Sequence, residues 1–552
     1  MRTSVELQTL DEEVHFHRGK HSVSESKMAN DFDRDRYELA RAGKQQVLKR
    51  RFGLVSMTGL SCGLMCTWES LLVVFGVGFQ NGGPAGLIYG FLLIWLGNIS
   101  VFIVIGELSS AIPTAGGQYH WVSVLAPRSS RKFFSYITGW LTVIGWIAAL
   151  TSVSFFVADL TLQLVKINED FVKTGWQGTL VLWATLVLCI VINVFISGAL
   201  PSIEVVILII HILGFFGIII PLVYLTPTHN SAKEILTTFS NNGAWNSRAL
   251  AFFIGLQGNA LAFVGTDSAV HMSEEVKNAS TDVARSMLLS LGINGVLAFG
   301  MLFAVLFSVP IAEIMTILTT SEGFPVIHIF KAAVGSTAGA TIMTSIIIVL
   351  EFCSALGCLA AASRMTWSFA RDRGLPFSRY ISMIDKRTTI PVVAIVVVTL
   401  CSALLALINI GNNVAFNGTI SLVLEGFYLS YLLAIGLFLW RRMRGDMDNP
   451  DPVLSFNSAT HSDETLDTAL HWGPWRLKGY MGIANNIVAC SYLLLLIFFS
   501  FWPTQLDVSN AEYMNWAVLV TGFILIFSIG YYLIWAKQSY TGPIVEVDPH
   551  TL

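Results

Sequence analysis

The stretch TGLSCGLMCTWESLLVVFGVG, Thr58 to Gly78, is apolar along most of its length yet carries Thr67, Trp68, Glu69 and Ser70 at its middle. An apolar run of about 20 residues crosses about 30 Å of hydrocarbon as a helix. A carboxylate at the centre of such a helix costs about 2.5–3.5 kcal/mol even on a mild insertion scale. The stretch therefore reads as a membrane span with an interruption that something must compensate.

Composition extends that reading to the whole chain. Of 552 residues, 54% are hydrophobic and 12% charged, and the mean hydropathy is +0.65, whereas soluble domains carry roughly 25% charged residues. Apolar runs centre on 54–78, 86–111, 134–160, 178–198, 203–225, 250–272, 286–310, 338–363, 390–410, 415–440, 480–502 and 514–536. An all-α integral membrane protein of about twelve spans is predicted, with a tail at 1–53, spans 1–5 over 54–225, spans 6–10 over 250–440, spans 11–12 over 480–536 and a tail at 537–552.

Short cytoplasmic loops collect lysine and arginine. With the N-terminus inside, 28 of the 33 lysines and arginines fall on the inner side, so both tails are expected in the cytoplasm. No apolar signal region precedes span 1, so no cleaved signal peptide is expected. All seven cysteines lie inside spans, where a thiol is usually a small packing residue. Neither a disulfide nor a metal site is expected, including at Cys62 and Cys66, and no cofactor. The net charge of −3 names no partner, and there is no nucleic-acid signature.

Five spans after the first break, GLQGNALAFVGTDSAVHMSEEV, Gly255 to Val276, is interrupted in the same way by Gly265, Thr266, Asp267 and Ser268. Carriers built from inverted repeats place two broken helices against each other near the bilayer midplane. Freed backbone groups are tolerated in hydrocarbon only where they line a cavity or find protein partners. A five-plus-five inverted repeat with two additional spans and one shared cavity is the simplest expectation. The bland alternative is a packing glycine at Gly265 and a helix cap at Asp267.

Four further stretches carry a resemblance: NGGPAG (Asn81–Gly86) with GELSSAIPTAGGQYHW (Gly106–Trp121), FVGTDSAVHMSEEVKNAS (Phe263–Ser280), ASRMTWSFARDRGLPFS (Ala362–Ser378) and RDRYELARAGKQQVLKRRFG (Arg34–Gly53). In this order they resemble the amino acid, polyamine and organocation superfamily of permeases, and in particular its fungal amino acid/choline transporter branch. The resemblance implies a leucine-transporter-like fold working as a secondary carrier. Ala362–Ser378 looks like the cytoplasmic loop after span 8 of that family. Trp68, Glu69 and Ser70 fall where many such permeases have a glycine-rich triplet whose amides hold a substrate carboxylate. Here bulk and negative charge fill that opening, which favours an ammonium, and Trp68 can add a cation–π contact.

The resemblance also marks His211, seven residues after Glu204, where similar carriers place a lysine thought to stand in for a sodium ion. An unperturbed imidazole titrates near pH 6.5, so His211 can bind and release a proton in each cycle; the alternative is a buried neutral histidine. Glu69 has three readings: a cation site at which substrate and proton compete, an N-cap of the following half-helix, or a proton relay. Phe263 resembles an aromatic gate but is equally a packing residue. Buried carboxyls at Glu351 and Glu425 are functional candidates. His271 is read as lying at the cytoplasmic mouth, the basic residues Arg364, Arg371, Arg373, Arg379, Lys386 and Arg387 as topology-setting charge, and Asn417 as a sequon too close to the membrane to be expected to carry glycan.

No nucleophile elbow, phosphate loop or metal cluster accompanies the spans, so the expected function is not enzymatic. It is a proton-coupled plasma-membrane permease importing a small amine or amino acid, such as choline or γ-aminobutyrate, through Trp68, Glu69, Ser70, Phe263, Gly265, Thr266 and Asp267, with His211 and Glu69 carrying the proton. Export of a biosynthetic metabolite, vacuolar loading or nutrient sensing stand as alternatives; a sensor would be expected to carry a larger signalling tail.

Overall fold

The computed structural model describes residues 34–320, 323–411, 413–446, 472–509 and 514–547, with backbone alone for 411 and 413–420. The Asn417 side chain and parts of both tails lie outside the described residues.

Ten described helices are long and apolar enough to cross a membrane: Phe75–Ala111, Arg131–Asn168, Gly175–Phe195, Ser197–Leu225, Ala279–Ser308, Thr337–Arg371, Val392–Ile410, Ser421–Met443, Gly479–Ser500 and Ala517–Ser539. They are spans 2–5 and 7–12. The two predicted spans absent from that set are 1 and 6, because each is divided. Span 1 consists of Leu54–Met65 and Thr67–Val73, with Cys66 between them in the left-handed conformation (φ 42°, ψ 47°). Span 6 consists of Arg248–Leu261 and Ser268–His271, joined by a turn through Gly265 at φ +90°, a conformation glycine reaches without steric penalty.

Span 1 sits at the centre, packed against spans 5, 7 and 8, while span 6 lies along span 2 and span 3 along spans 8 and 10. The indoles of Trp68, Trp121, Trp146 and Trp367 are buried in the interior. Large apolar side chains on spans 4, 5 and 12, including Val187, Phe195, Leu213, Ile220, Ile526 and Ile534, are exposed. A contiguous apolar surface of that kind is a liability in water and lipid contact in a bilayer. A membrane belt, rather than a second core, accounts for the sequence's excess of apolar residues.

Two details differ from the sequence expectation. Span 2 is preceded by a further helical segment that turns at Gly83 (φ 64°, ψ −168°) immediately before Pro84. The stretch expected as a loop after span 8 is helical through Arg371. Two of its arginines are paired: the buried Arg364 with Glu275 at 2.8 Å, and Arg371 in a two-pronged contact with Glu274 at 2.7 and 3.0 Å. Burying those pairs extends the helix beyond the apolar run.

The same end of the molecule gathers both terminal segments. Phe52 pairs with Val276, and Asp35 accepts from the Asn278 and Ala279 amides at the start of span 7. Lys44 pairs with Asp372 in the interior. Asp372 also accepts from Tyr119 Oη at 2.7 Å and from the Ile544 amide at 2.9 Å, and Glu546 accepts from the Gln45 amide. Burial alone raises a carboxyl pKa, but the Lys44 ammonium and the Arg371 guanidinium outweigh it and hold Asp372 below the usual carboxylate range.

Candidate functional site

The two breaks meet. Thr266 Oγ1 lies 2.9 Å from Met65 Sδ and 3.1 Å from its own turn's Phe263 carbonyl, and a Cβ on Gly265 would fall 2.3 Å from Leu64 Cδ2. The end of the first half of span 1 is bonded to its neighbouring helices. Asn294 of span 7 donates to Cys62 O at 3.2 Å, Ser354 of span 8 donates to Leu64 O, and Cys66 Sγ contacts Leu350 O at 3.2 Å. Unpaired backbone groups in a dry interior cost free energy, and Ser354 supplies the partner that Leu64 O lacks within its own helix.

From that break the side chains diverge. Glu69, wholly buried, has Oε1 2.7 Å from His211 Nδ1 of span 5, and Oε2 has no protein partner. The carboxylate makes no cap hydrogen bond to its own half-helix, although it lies in that helix's first turn. Trp68 lies against span 5, its ring centroid 5.8 Å from His211 and 6.2 Å from Phe215. Ser70 Oγ is 3.0 Å from Glu351 Oε1 of span 8. His211 Nε2 and Glu351 Oε2 are, like Glu69 Oε2, buried and unpartnered.

Asp267 forms a second group. Its Oδ2 accepts from Gln118 Nε2 at 2.7 Å and lies 3.2 Å from His271 Nε2, while Oδ1 and the neighbouring Ser268 Oγ are unpartnered. His271 Nδ1 is 2.9 Å from Ala115 O, and its ring meets the edge of Trp146 at 5.6 Å. His271 thus ties Asp267 to the segment between spans 2 and 3. Phe263 packs against Phe91 of span 2 at 5.2 Å and is buried in this aromatic stack.

Of the residues singled out in the sequence, Trp68, Glu69, Ser70 and His211 form one cluster and Gly265, Thr266 and Asp267 another, joined where Leu64 and Met65 touch the span 6 turn. Glu69 and Asp267 share no partner. Gln118, Asn294 and Trp146 were not singled out. A polar residue inside an apolar helix was a usable signal for Asn294, and Gln118 lay within a quoted motif, but nothing local marks Trp146.

Residues 52–524 match the amino acid permease family. A putative amino acid/polyamine transporter from Macrophomina phaseolina is 29% identical over 83% of this chain and 96% of its own length. A choline transporter from Saccharomyces cerevisiae is 28% identical over 89% of this chain and 83% of its own. A GABA-specific permease from the same yeast is 26% identical over 93% and 86%. With broken spans 1 and 6 in contact at the centre of a multi-pass helical bundle, and a family match across most of its length, the chain belongs to the amino acid permease family.

Proposed function

We propose that the protein imports a small amine or amino acid, choline or γ-aminobutyrate being the leading substrates, in symport with protons across the plasma membrane with both termini cytoplasmic. Residues 54–225 and 250–440 act as the two repeats and 480–536 as an accessory pair of spans. The observation that carries this reading is Glu69: one carboxylate oxygen faces His211 and the other is buried without a partner. A cationic substrate group at Oε2 would compensate the buried charge, with Trp68 beside it, while Oε1 keeps the imidazole. On this reading ammonium and proton reach different oxygens of one carboxylate, and the competition between them expected from sequence is the alternative. The chain's similarity to a choline transporter and a GABA-specific permease supports the amine class.

The test is uptake of radiolabelled choline, γ-aminobutyrate, polyamines and neutral and acidic amino acids by proteoliposomes, with and without an imposed pH gradient. Gradient-driven uptake of one amine-bearing solute is expected. A protein that took up none of these solutes, or took them up equally with and without the pH gradient, would overturn the assignment.

A further inference from the structure

Glu351 is a buried carboxyl group that the proposed substrate site does not use. It lies on span 8, wholly buried, with Oε1 3.0 Å from Ser70 Oγ and Oε2 without a protein partner. Ser70 is the chain neighbour of Glu69, whose own carboxylate reaches His211 at 2.7 Å. Three helices therefore contribute one titratable group each to a linked cluster: Glu69 from span 1, His211 from span 5 and Glu351 from span 8.

Around the cluster stand the thiols Cys62 and Cys66 from span 1 and Cys353 and Cys358 from span 8, and beyond these thiols the buried carboxyls of Glu204 on span 5 and Asp267 on span 6. No lysine or arginine among the described residues bonds to it. Two ionised carboxylates beside a neutral imidazole would place two uncompensated charges in the interior, where lost hydration is not repaid. A proton on the imidazole compensates Glu69. It leaves Glu351 with a serine hydroxyl as its one partner.

We propose that Glu351 is a second proton-binding site of the carrier, loaded in this conformation and linked to the Glu69–His211 pair through the Ser70 hydroxyl. Span 8 also holds the break of span 1 open through Ser354 and the Leu350 carbonyl. A movement of span 1 against span 8 thus changes the Ser70–Glu351 contact and the protonation of Glu351 together. The inference rests on the symport reading for its role in transport, but not for the bound proton itself.

The experiment therefore has a spectroscopic and a transport arm. In infrared spectra of the purified protein, the carbonyl band of protonated carboxyls should lose one component in Glu351→Gln. In proteoliposomes, a one-unit pH gradient carries about a tenfold concentration ratio per coupled proton. Glu351→Gln should therefore lose about tenfold in accumulation per unit of gradient while still exchanging internal for external substrate. An undiminished protonated-carboxyl band overturns the proposal whatever transport does. A lost band with unchanged accumulation also overturns it, because the proton would then be a static one. If wild-type accumulation ignores a protonophore, the symport reading fails, and the infrared arm reports separately whether Glu351 holds a proton. Should Glu351→Gln fold poorly on thermal unfolding, Ser70→Ala, which keeps both carboxyls, decides: it should shift the band and reduce accumulation, and an unshifted band with full accumulation rejects the link.

Discussion

Two of the buried clusters of charge in this molecule are built on opposite plans. Where the terminal segments meet, acids are matched by bases: Lys44 with Asp372, Arg364 with Glu275, Arg371 with Glu274. At the break of span 1, Glu69 and Glu351 share one imidazole and a serine, and carboxylate oxygens are left over. Both sets are buried, so burial does not separate them. A paired cluster resists losing a member, whereas an incompletely paired one calls for a ligand or a proton. On the proposed function the first cluster is structural and the second takes part in transport, and each of the following substitutions can break that division.

The largest effect is expected at the contact between the breaks. Gly265→Leu forces a side chain onto a backbone at φ +90° and into Leu64, and uptake should vanish while folded protein still reaches the membrane. Surface quantification beside the uptake assay separates the two, and normal transport by this variant would take span 6 out of the site.

Next is the terminal cluster. Lys44→Ala leaves Asp372 buried without its lysine, and removing one member of a buried pair costs about 3–5 kcal/mol. The paired change Lys44→Met with Asp372→Leu should recover much of that in thermal unfolding of the detergent-solubilised protein. If Lys44→Ala costs no more than an exposed substitution, the two clusters are not built on different plans. The pH dependence follows from Asp372. Its folded pKa lies below its unfolded value of about 3.9, so its contribution is fully present above that value and lost only as pH falls through the lower folded pKa. Stability arising from Asp372 should therefore be flat between about pH 5 and 8.

The sequence disclosed these two plans unequally. Hydropathy located the spans because hydrocarbon imposes one length on all of them, and the polar interruptions at Thr67–Ser70 and Gly265–Ser268 located both breaks. The terminal cluster was legible only as charge. Nothing in Arg364 or Arg371 says that its partner lies in Glu274–Glu275, because that pairing depends on how span 8 passes the turn after span 6. The extension of span 8 was missed for the same reason: its arginines look like a loop until their carboxylates are placed. At the site, residue types were readable but not their directions. Glu69 and Asp267 both lie at breaks, yet one turns to span 5 and the other to Gln118, a choice made by tertiary packing.

A smaller and more selective effect is expected at His211. If it carries a coupled proton, His211→Ala should no longer accumulate substrate against a gradient, while exchange across the membrane persists. Undiminished concentrative uptake with unchanged pH dependence would place the proton elsewhere, with Asp267 the next carboxyl to test.

The smallest effect carries the substrate assignment. Glu69→Gln keeps the shape of the side chain and a hydrogen-bonding oxygen, but removes the charge from the unpartnered position. If that position receives an ammonium, affinity for a charged substrate should weaken by about 1.5–3 kcal/mol, the scale of a hydrogen bond to a charged group. An uncharged isostere of the same substrate should lose little, because it draws nothing from the carboxylate's charge. If Glu69 serves only to hold His211 in place, removing its charge disturbs span 5 for both ligands alike, and thermal stability should fall in step. The measurement is a pair of affinities, charged and uncharged analogue, in wild type and Glu69→Gln, with unfolding temperatures recorded beside them. Equal losses for the two analogues would return Glu69 to the paired, structural plan of the terminal cluster and leave the preference for an amine without its residue.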